Sequence, residues 1–140
     1  MEHRKNIVVV LKGLILHKGT VLIVQRAPDD EVGGGTWELV GGGMRFGEEL
    51  EAALIREIEE EVGLTVTVKK VLYAATFQTH PTRQVVILTY LCTSEQHEVI
   101  LSKEHIHYCW ATKDEARQLL PPTIVYDFEK NGVFSLAEWR

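Results

Sequence analysis

The apolar positions of the chain change period several times along its length. Val, Ile and Leu dominate residues 6–16, and the same character resumes over 20–25 after His17-Lys18-Gly19. Two β-rich runs about a short glycine-bearing connection predict a β-hairpin, with Gly19 supplying a positive φ. The composition of 28–36, Pro-Asp-Asp-Glu-Val-Gly-Gly-Gly-Thr, predicts a loop. A brief apolar stretch over 37–40 then runs into Gly41-Gly42-Gly43, where a turn is expected. Over 48–62 the period becomes helical, and Gly63 stands where a left-handed C-terminal cap belongs. Residues 65–79 and 83–93 read as two strands joined by His80-Pro81-Thr82, and 106–111 as another. Thr112 and Glu115 have the spacing of a capping box for a helix through Leu120. Pro121-Pro122 ends that helix, and 123–130 supplies a last helical turn or two before Asn131-Gly132. This order predicts an α/β (α+β) fold, a mixed sheet with helices packed on it.

Length and charge narrow what such a fold does. At 140 residues, without an internal repeat or a linker-like stretch, one domain spanning 1–140 is expected. Fifteen Lys and Arg stand against 20 Asp and Glu, a net charge of −5. That balance disfavours binding to duplex nucleic acid, which needs clustered cations. A small phosphorylated substrate stays compatible, because a bound divalent metal inverts the local field. The longest apolar run, residues 7–11, falls far short of the ~20 residues of a membrane span. The opening Met-Glu-His-Arg-Lys has no signal-peptide character, so a cytoplasmic protein is expected. Cys92 and Cys109 lack metal-ligand spacing and read as free thiols in a reducing compartment.

The helix over 48–62 carries the chemistry. Advancing 100° per residue from Leu50 puts Leu54, Ile55, Ile58 and Val62 on one core-facing stripe. Glu57, Glu60 and Glu61 share the flank of that stripe, within an arc of about 100°. Arg56 stands beside Glu60 at i, i+4 spacing. A Glu-rich flank is ordinarily a solvated face, but this one is unfavourable twice over. Glu57 has like charges at both i+3 and i+4, and the group sits near the helix C-terminus, where the macrodipole disfavours anions. A hard cation among them removes both costs, and Mg²⁺ or Mn²⁺ takes oxygen ligands. Gly41-Gly42-Gly43 lets the backbone come close and present a carbonyl ligand or phosphate-binding N–H groups.

Residues 42–64, Gly-Gly-Met-Arg-Phe-Gly-Glu-Glu-Leu-Glu-Ala-Ala-Leu-Ile-Arg-Glu-Ile-Glu-Glu-Glu-Val-Gly-Leu, resemble the Nudix box, G-x5-E-x7-R-E-U-x-E-E-x-G-U. Every specified position agrees, from Gly42 and Glu48 through Arg56-Glu57-Ile58 and Glu60-Glu61 to Gly63-Leu64. Trp37-Glu38-Leu39-Val40-Gly41-Gly42 resembles the family's W-x-L-P-G-G lead-in, with Val40 in place of the proline. Residues 104–110 and Asp114-Glu115-Ala116 resemble the late strand and helix of MutT-like members. The resemblance covers most of the chain, and the box is its specific part.

That resemblance implies an α-β-α sandwich and an enzyme that hydrolyses nucleoside diphosphates linked to another moiety, using Mg²⁺ or Mn²⁺. Carried over by position, Glu57, Glu60 and Glu61 become metal ligands and one of them a candidate general base. The Gly41 carbonyl becomes a further ligand. Arg56 orients the carboxylates, and Glu48 with Gly42 supports the loop–helix geometry. Family members differ in the base, and Glu104, in Leu-Ser-Lys-Glu-His-Ile-His, is a loop-borne candidate for that role or for a further ligand. His105 and His107 lie on a predicted strand, and at most one of them is expected to face the site.

Substrate signals are sparser. Arg26, at the end of the second strand, is placed to reach phosphates or a base edge. Trp37, Tyr73 and Phe77 are candidate stacking partners, weighed against the ordinary core role of strand aromatics. Acidic charge and short length favour a small mononucleotide over capped RNA. Within the family, the resemblance to MutT-like members then implies hydrolysis of a (d)NTP to a (d)NMP and pyrophosphate. An ADP-ribose or nucleotide-sugar pyrophosphatase is the alternative, signalled by Pro81, close to where a proline marks ADP-ribose hydrolases of the family. A non-catalytic nucleotide sensor and an isomerase on the same scaffold are further rivals. The complete set of box glutamates counts against the first, the placing of Cys92 and Cys109 against the second. The expected partner is a small nucleotide, with no duplex nucleic acid and no membrane. A two-fold homodimer is expected from the general prevalence of that assembly.

Overall fold

The computed structural model describes residues 4–30 and 33–140; readings of the first three residues, and of 31–32 within the expected loop, lie outside it. The first hairpin forms as its sequence requires. Strand β1 (Asn6–His17) turns into β2 (Thr20–Arg26) through Lys18 and Gly19, at φ 49° and 81°. β1 is then the centre of the sheet. It runs parallel to β6 (Arg83–Thr93) on one side, and on the other it pairs antiparallel with β4 (Val40–Gly43). β2 pairs antiparallel with β3 (Trp37–Glu38) and β7 (His105–Ala111). β5 (Thr67–His80) pairs antiparallel with β6 and forms the far edge, so the path is β3-β2-β1-β6-β5. Lys69, Lys70 and several register breaks lie along β5, features that keep an edge strand from pairing with another chain.

Gly41, Gly42 and Gly43 form a strand rather than the turn expected of them, with Lys12 opposite Gly41 and Leu11 opposite Gly42. The missing side chains explain the difference. A Cβ at Gly41, where φ is 146°, would collide with the Leu11 carbonyl oxygen, so only glycine brings β4 this close to β1.

Alternate residues of β1 and β2 build two apolar layers. Leu11, Ile15, Leu22 and Val24 meet Leu54, Ile58 and Val62 of helix α1 (Leu50–Val62). Leu14, Leu16, Val21 and Ile23 face the other way. They meet Ala116 of α2 (Lys113–Leu119), Phe128 of α3 (Pro122–Lys130) and Trp139. Both faces being covered, the two strands read as near-continuous hydrophobic runs. Each fully buried Leu or Ile contributes roughly 1.5–3 kcal/mol, and together they clamp α1 against the sheet. The result is the expected α-β-α sandwich around a mixed sheet.

α1 begins at Leu50, two positions after Glu48, whose side chain instead accepts from the Arg45 amide and the Arg56 guanidinium. Gly63 caps it in the left-handed conformation at φ 72°. The Thr112–Glu115 capping box is present in both directions. Pro122 opens α3 instead of only closing α2, because the first helical position needs no N–H donor. Cys92 is buried and Cys109 half-buried, both free. No helix among the described residues is long and apolar enough to cross a membrane.

Candidate active site

The three carboxylates on the flank of α1 occupy different surroundings. Glu61 is only 7% exposed, and its Oε1 accepts the Gly41 N–H at 3.1 Å. Burial pushes its carboxyl up to about 7, against the charge of Lys12 and the Gly41 hydrogen bond, which pull it down. Glu57 lies against the Cα of Gly42, and its Oε1 accepts from Arg56 Nη1 at 3.0 Å. Glu60 is exposed. It takes the same Arg56 Nη1 at 3.2 Å and stands 3.8 Å from the Arg45 guanidinium. Among the described residues no three Asp, Glu, His or Cys side chains are gathered tightly enough to share one ion as they stand. Arg56 and Arg45 draw Glu57 and Glu60 aside, while Glu61 is turned to the Gly41 amide.

Arg56 ties this flank to the preceding loop. Its Nε and Nη2 donate to Glu48 Oε2 and Oε1 at 2.7 and 2.8 Å, a forked pair, and Nη2 also reaches the Gly43 carbonyl at 3.3 Å. Glu48 accepts the Arg45 N–H at 2.6 Å as well. The Arg56 hydrogen bond and the Arg45 amide hold the Glu48 carboxyl at about 2. Glu48 thus fixes both the loop and the guanidinium from which Glu57 and Glu60 take their positions.

The donor atoms suit a hard divalent cation. The expected donors, the carboxylates of Glu57, Glu60 and Glu61 and the carbonyl of Gly41, are oxygens throughout. The bare Cα of Gly42 forms the cradle in which Glu57 sits: a Cβ there would come within 2.5 Å of Oε2. The residues present fit Mg²⁺ or Mn²⁺.

On the opposite face of the sheet, under α3, lies a cleft of about 1190 Å³. Lys12, Arg26 and Glu38 stand at one end of its lining, and Phe77, Arg83 and Tyr126 elsewhere along it. Sequence reasoning missed Glu38 and Lys12. Glu38 accepts from Lys12 Nζ at 3.2 Å, Arg26 Nη1 at 3.1 Å and His105 Nε2 at 2.9 Å. Burial alone would raise its carboxyl. Lys12, the His105 hydrogen bond and Arg26 together outweigh that and hold it at about 2. The signal for both residues was a charge set inside an otherwise apolar strand.

The remaining candidates separate. Arg26 enters the cleft but is pinned by Glu38 and by Asp30 Oδ2 at 2.6 Å. His105 is buried and His107 exposed; two apart on β7, they would share a face in a regular strand, and the register shift between Gln25 and Arg26 falls between their partners. Phe77 is 46% exposed and lines the cleft. Tyr73 also lines it while packing in the core. Trp37 instead packs half-buried against the second apolar layer, where its pairing with Gln25 directs it. Glu104 is exposed on the turn before β7. Its backbone carbonyl accepts the Ala27 N–H at 3.0 Å, and no hydrogen bond among the described residues joins its carboxylate to the α1 set.

The model of the NUDIX domain matches residues 4–129. The chain belongs to the NUDIX family. It is 33% identical over 116 residues to the nucleoside triphosphatase NudI of Enterobacter sp. (strain 638), covering 76% of this chain and 82% of that one. With the CTP pyrophosphohydrolase of Escherichia coli (strain K12) identity is 31% over 110 residues, covering 78% of each. Among solved structures, the MutT protein from Methanosarcina mazei Go1 superposes with a TM-score of 0.84 at 25% identity. That match covers 96% of this chain and 99% of that protein. The chain is a Nudix hydrolase, and the box 42–64 is the strand-loop-helix unit just described.

Proposed function

We propose that this Nudix hydrolase cleaves nucleoside triphosphates to the monophosphate and pyrophosphate, with Mg²⁺ or Mn²⁺ held by Glu57, Glu60, Glu61 and the Gly41 carbonyl. The observation that carries the reading is the seam at β4. There the Gly41 N–H meets Glu61 of α1, while the carbonyl of the same residue meets Lys12 of the cleft. One glycine therefore links the acidic flank to the cavity large enough for a nucleotide. Relatives named as a nucleoside triphosphatase and a CTP pyrophosphohydrolase support the substrate class.

The divalent cation, when bound, offsets the charge of the phosphates and of the leaving group. The chain's own residues do the rest. Arg56 and Glu48 fix the carboxylates that would hold it. Lys12, Arg26 and Arg83 make the cleft wall attractive to a polyphosphate despite the chain's net negative charge, and Phe77 offers a base a face to stack on. A water adds to phosphorus, its proton passing to a carboxylate of the α1 set, and the P–O bond between the α- and β-phosphates breaks to release the monophosphate and pyrophosphate.

A substrate panel tests this. Canonical and oxidised dNTPs, CTP, ADP-ribose, nucleotide sugars and dinucleoside polyphosphates are incubated with saturating Mg²⁺, and products are resolved by chromatography. The expected result is a nucleoside monophosphate with pyrophosphate, abolished by a chelator. Preferential cleavage of ADP-ribose would replace the substrate class. Nucleotide and Mg²⁺ binding without cleavage would make the chain a sensor.

A further inference from the structure

Lys12 is an anomaly of sequence and of structure. It interrupts the apolar run of the central strand, between Leu11 and Gly13, and its side chain is only 14% exposed. A lysine there costs rotamer freedom and hydration and adds nothing to the apolar layers. Its ammonium spends all three protons on oxygens. They go to Glu38 Oε1 at 3.2 Å, the Leu39 carbonyl at 3.2 Å and the Gly41 carbonyl at 3.3 Å. Each contact is longer than the 2.7–2.9 Å typical of a charge-assisted hydrogen bond to a carboxylate, so the ammonium is caged by oxygens without being locked to any.

The cage has one wall in common with the acidic flank. The Gly41 carbonyl is the backbone ligand assigned above, and the Gly41 N–H already holds Glu61. A divalent cation on that carbonyl and an ammonium hydrogen-bonded to it would be like charges a few ångströms apart in a part-buried site, where screening is weak. The cage also has an open side, because Lys12 lines the cleft. Nor would its departure strand a charge. Glu38 keeps Arg26 Nη1 at 3.1 Å and His105 Nε2 at 2.9 Å.

We propose that Lys12 and the divalent cation compete for the Gly41 carbonyl, and that Lys12, once displaced, turns into the cleft as a phosphate-binding residue. This rests on the metal site of the proposed function and assigns Lys12 two linked duties. It guards the carbonyl, and it delivers a positive charge to the substrate when metal arrives. Metal loading and phosphate binding then reinforce each other, because each ligand gains from the move the other drives.

The test compares wild type with Lys12→Met, a neutral chain of similar length. Mn²⁺ binding is titrated by calorimetry without nucleotide, and kcat/KM is measured separately. The expected outcome is Mn²⁺ affinity raised at least fivefold and kcat/KM for the preferred nucleotide lowered at least tenfold, with circular dichroism unchanged. A merely structural lysine would give unchanged or weaker Mn²⁺ binding, and that result overturns the proposal. Should Lys12→Met fail to fold, the wild-type protein supplies the measurement. The Cε and Nζ resonances of Lys12 are expected to shift on saturation with Mg²⁺, and no shift overturns the exchange. Metal binding is read without turnover. A chain that binds Mn²⁺ with this dependence on Lys12 yet cleaves nothing refutes the hydrolase reading, not the competition. An active enzyme whose metal affinity ignores Lys12 does the reverse.

Discussion

Glu57 rests on Gly42 so closely that a Cβ built on the glycine would stand 2.5 Å from Oε2 and 2.8 Å from Cδ of the carboxylate. No real Cβ makes such a contact, so Gly42→Ala must push Glu57 outward. The displaced atoms end a flexible side chain, which lets the fold survive. The opposite holds at Gly41, where the Cβ would meet the Leu11 backbone and β4 itself would have to leave β1. The expected outcome for Gly42→Ala is kcat/KM lowered at least tenfold with a nearly unchanged melting temperature. Steady-state kinetics and a thermal melt on the same preparation check it. A variant of wild-type activity would show that Glu57 does not need this seat.

In the proposed site Glu48 serves by holding Arg56, not by touching substrate. Its two oxygens take the fork of the guanidinium, leaving Nη1 to Glu57 and Glu60. Glu48→Gln keeps the size and loses the charge-assisted fork, and Arg56 is then free to bind Glu57 more completely. Outer partners of metal ligands typically matter by about 10–100-fold in affinity or activity. The Mg²⁺ concentration for half-maximal rate is expected to rise within that range, while kcat at saturating Mg²⁺ falls less. Equal loss of both at every Mg²⁺ concentration would point to simple loop damage.

How much of this was legible beforehand depended on how local each feature is. α1, its glycine cap and the capping box of α2 follow from spacing within a few residues, and they appear where the pattern puts them. The box carboxylates share one helix, so their common flank was legible too. Strand β4 was not, because three glycines carry no pattern of their own and become a strand only through pairing with β1. Lys12 and Glu38 were missed for the same reason. They lie 26 positions apart and are joined by strand register alone. Trp37 and Phe77 look equivalent as strand aromatics, and only the sheet shows one packed in a core and the other lining the cleft.

Glu38 gives the fold a defined acid limit. Its carboxyl is held at about 2, below the ordinary glutamate value near 4.5, by Lys12, His105 and Arg26 acting against burial. A depressed carboxyl contributes stability that is fully present above the unfolded value and is lost as pH falls toward the folded one. The window is thus pH 4.5 down to about 2, and the contribution is on the order of 3 kcal/mol. In Glu38→Gln this contribution is missing at every pH. Denaturant melts should show wild type ahead of the variant at pH 6, with the gap closing as pH drops below 4. A gap independent of pH would mean that Glu38 stabilises by packing, not by charge.

Activity and stability are expected to part company along α1. Glu57 and Glu61 lie off the apolar stripe yet are mostly shielded, whereas Glu59 is exposed and lends the helix only its backbone carbonyl, to the Gly63 cap. Glu57→Gln and Glu61→Gln keep the shape and remove the charge, so both should lower kcat by at least two orders of magnitude. Glu59→Gln should change stability by less than about 0.5 kcal/mol and leave turnover unchanged. Glu61→Gln has a second signature. A carboxylate buried beside Glu38 opposes folding in its charged form, so removing the charge should raise the melting temperature in chelator at neutral pH while abolishing activity. A merely structural Glu61 would do the opposite, losing stability and keeping whatever activity the folded fraction supports. Wild-type kcat in either glutamine variant would strike that residue from the catalytic set, and a stabilised but fully active Glu61→Gln would remove the metal site from β4 altogether.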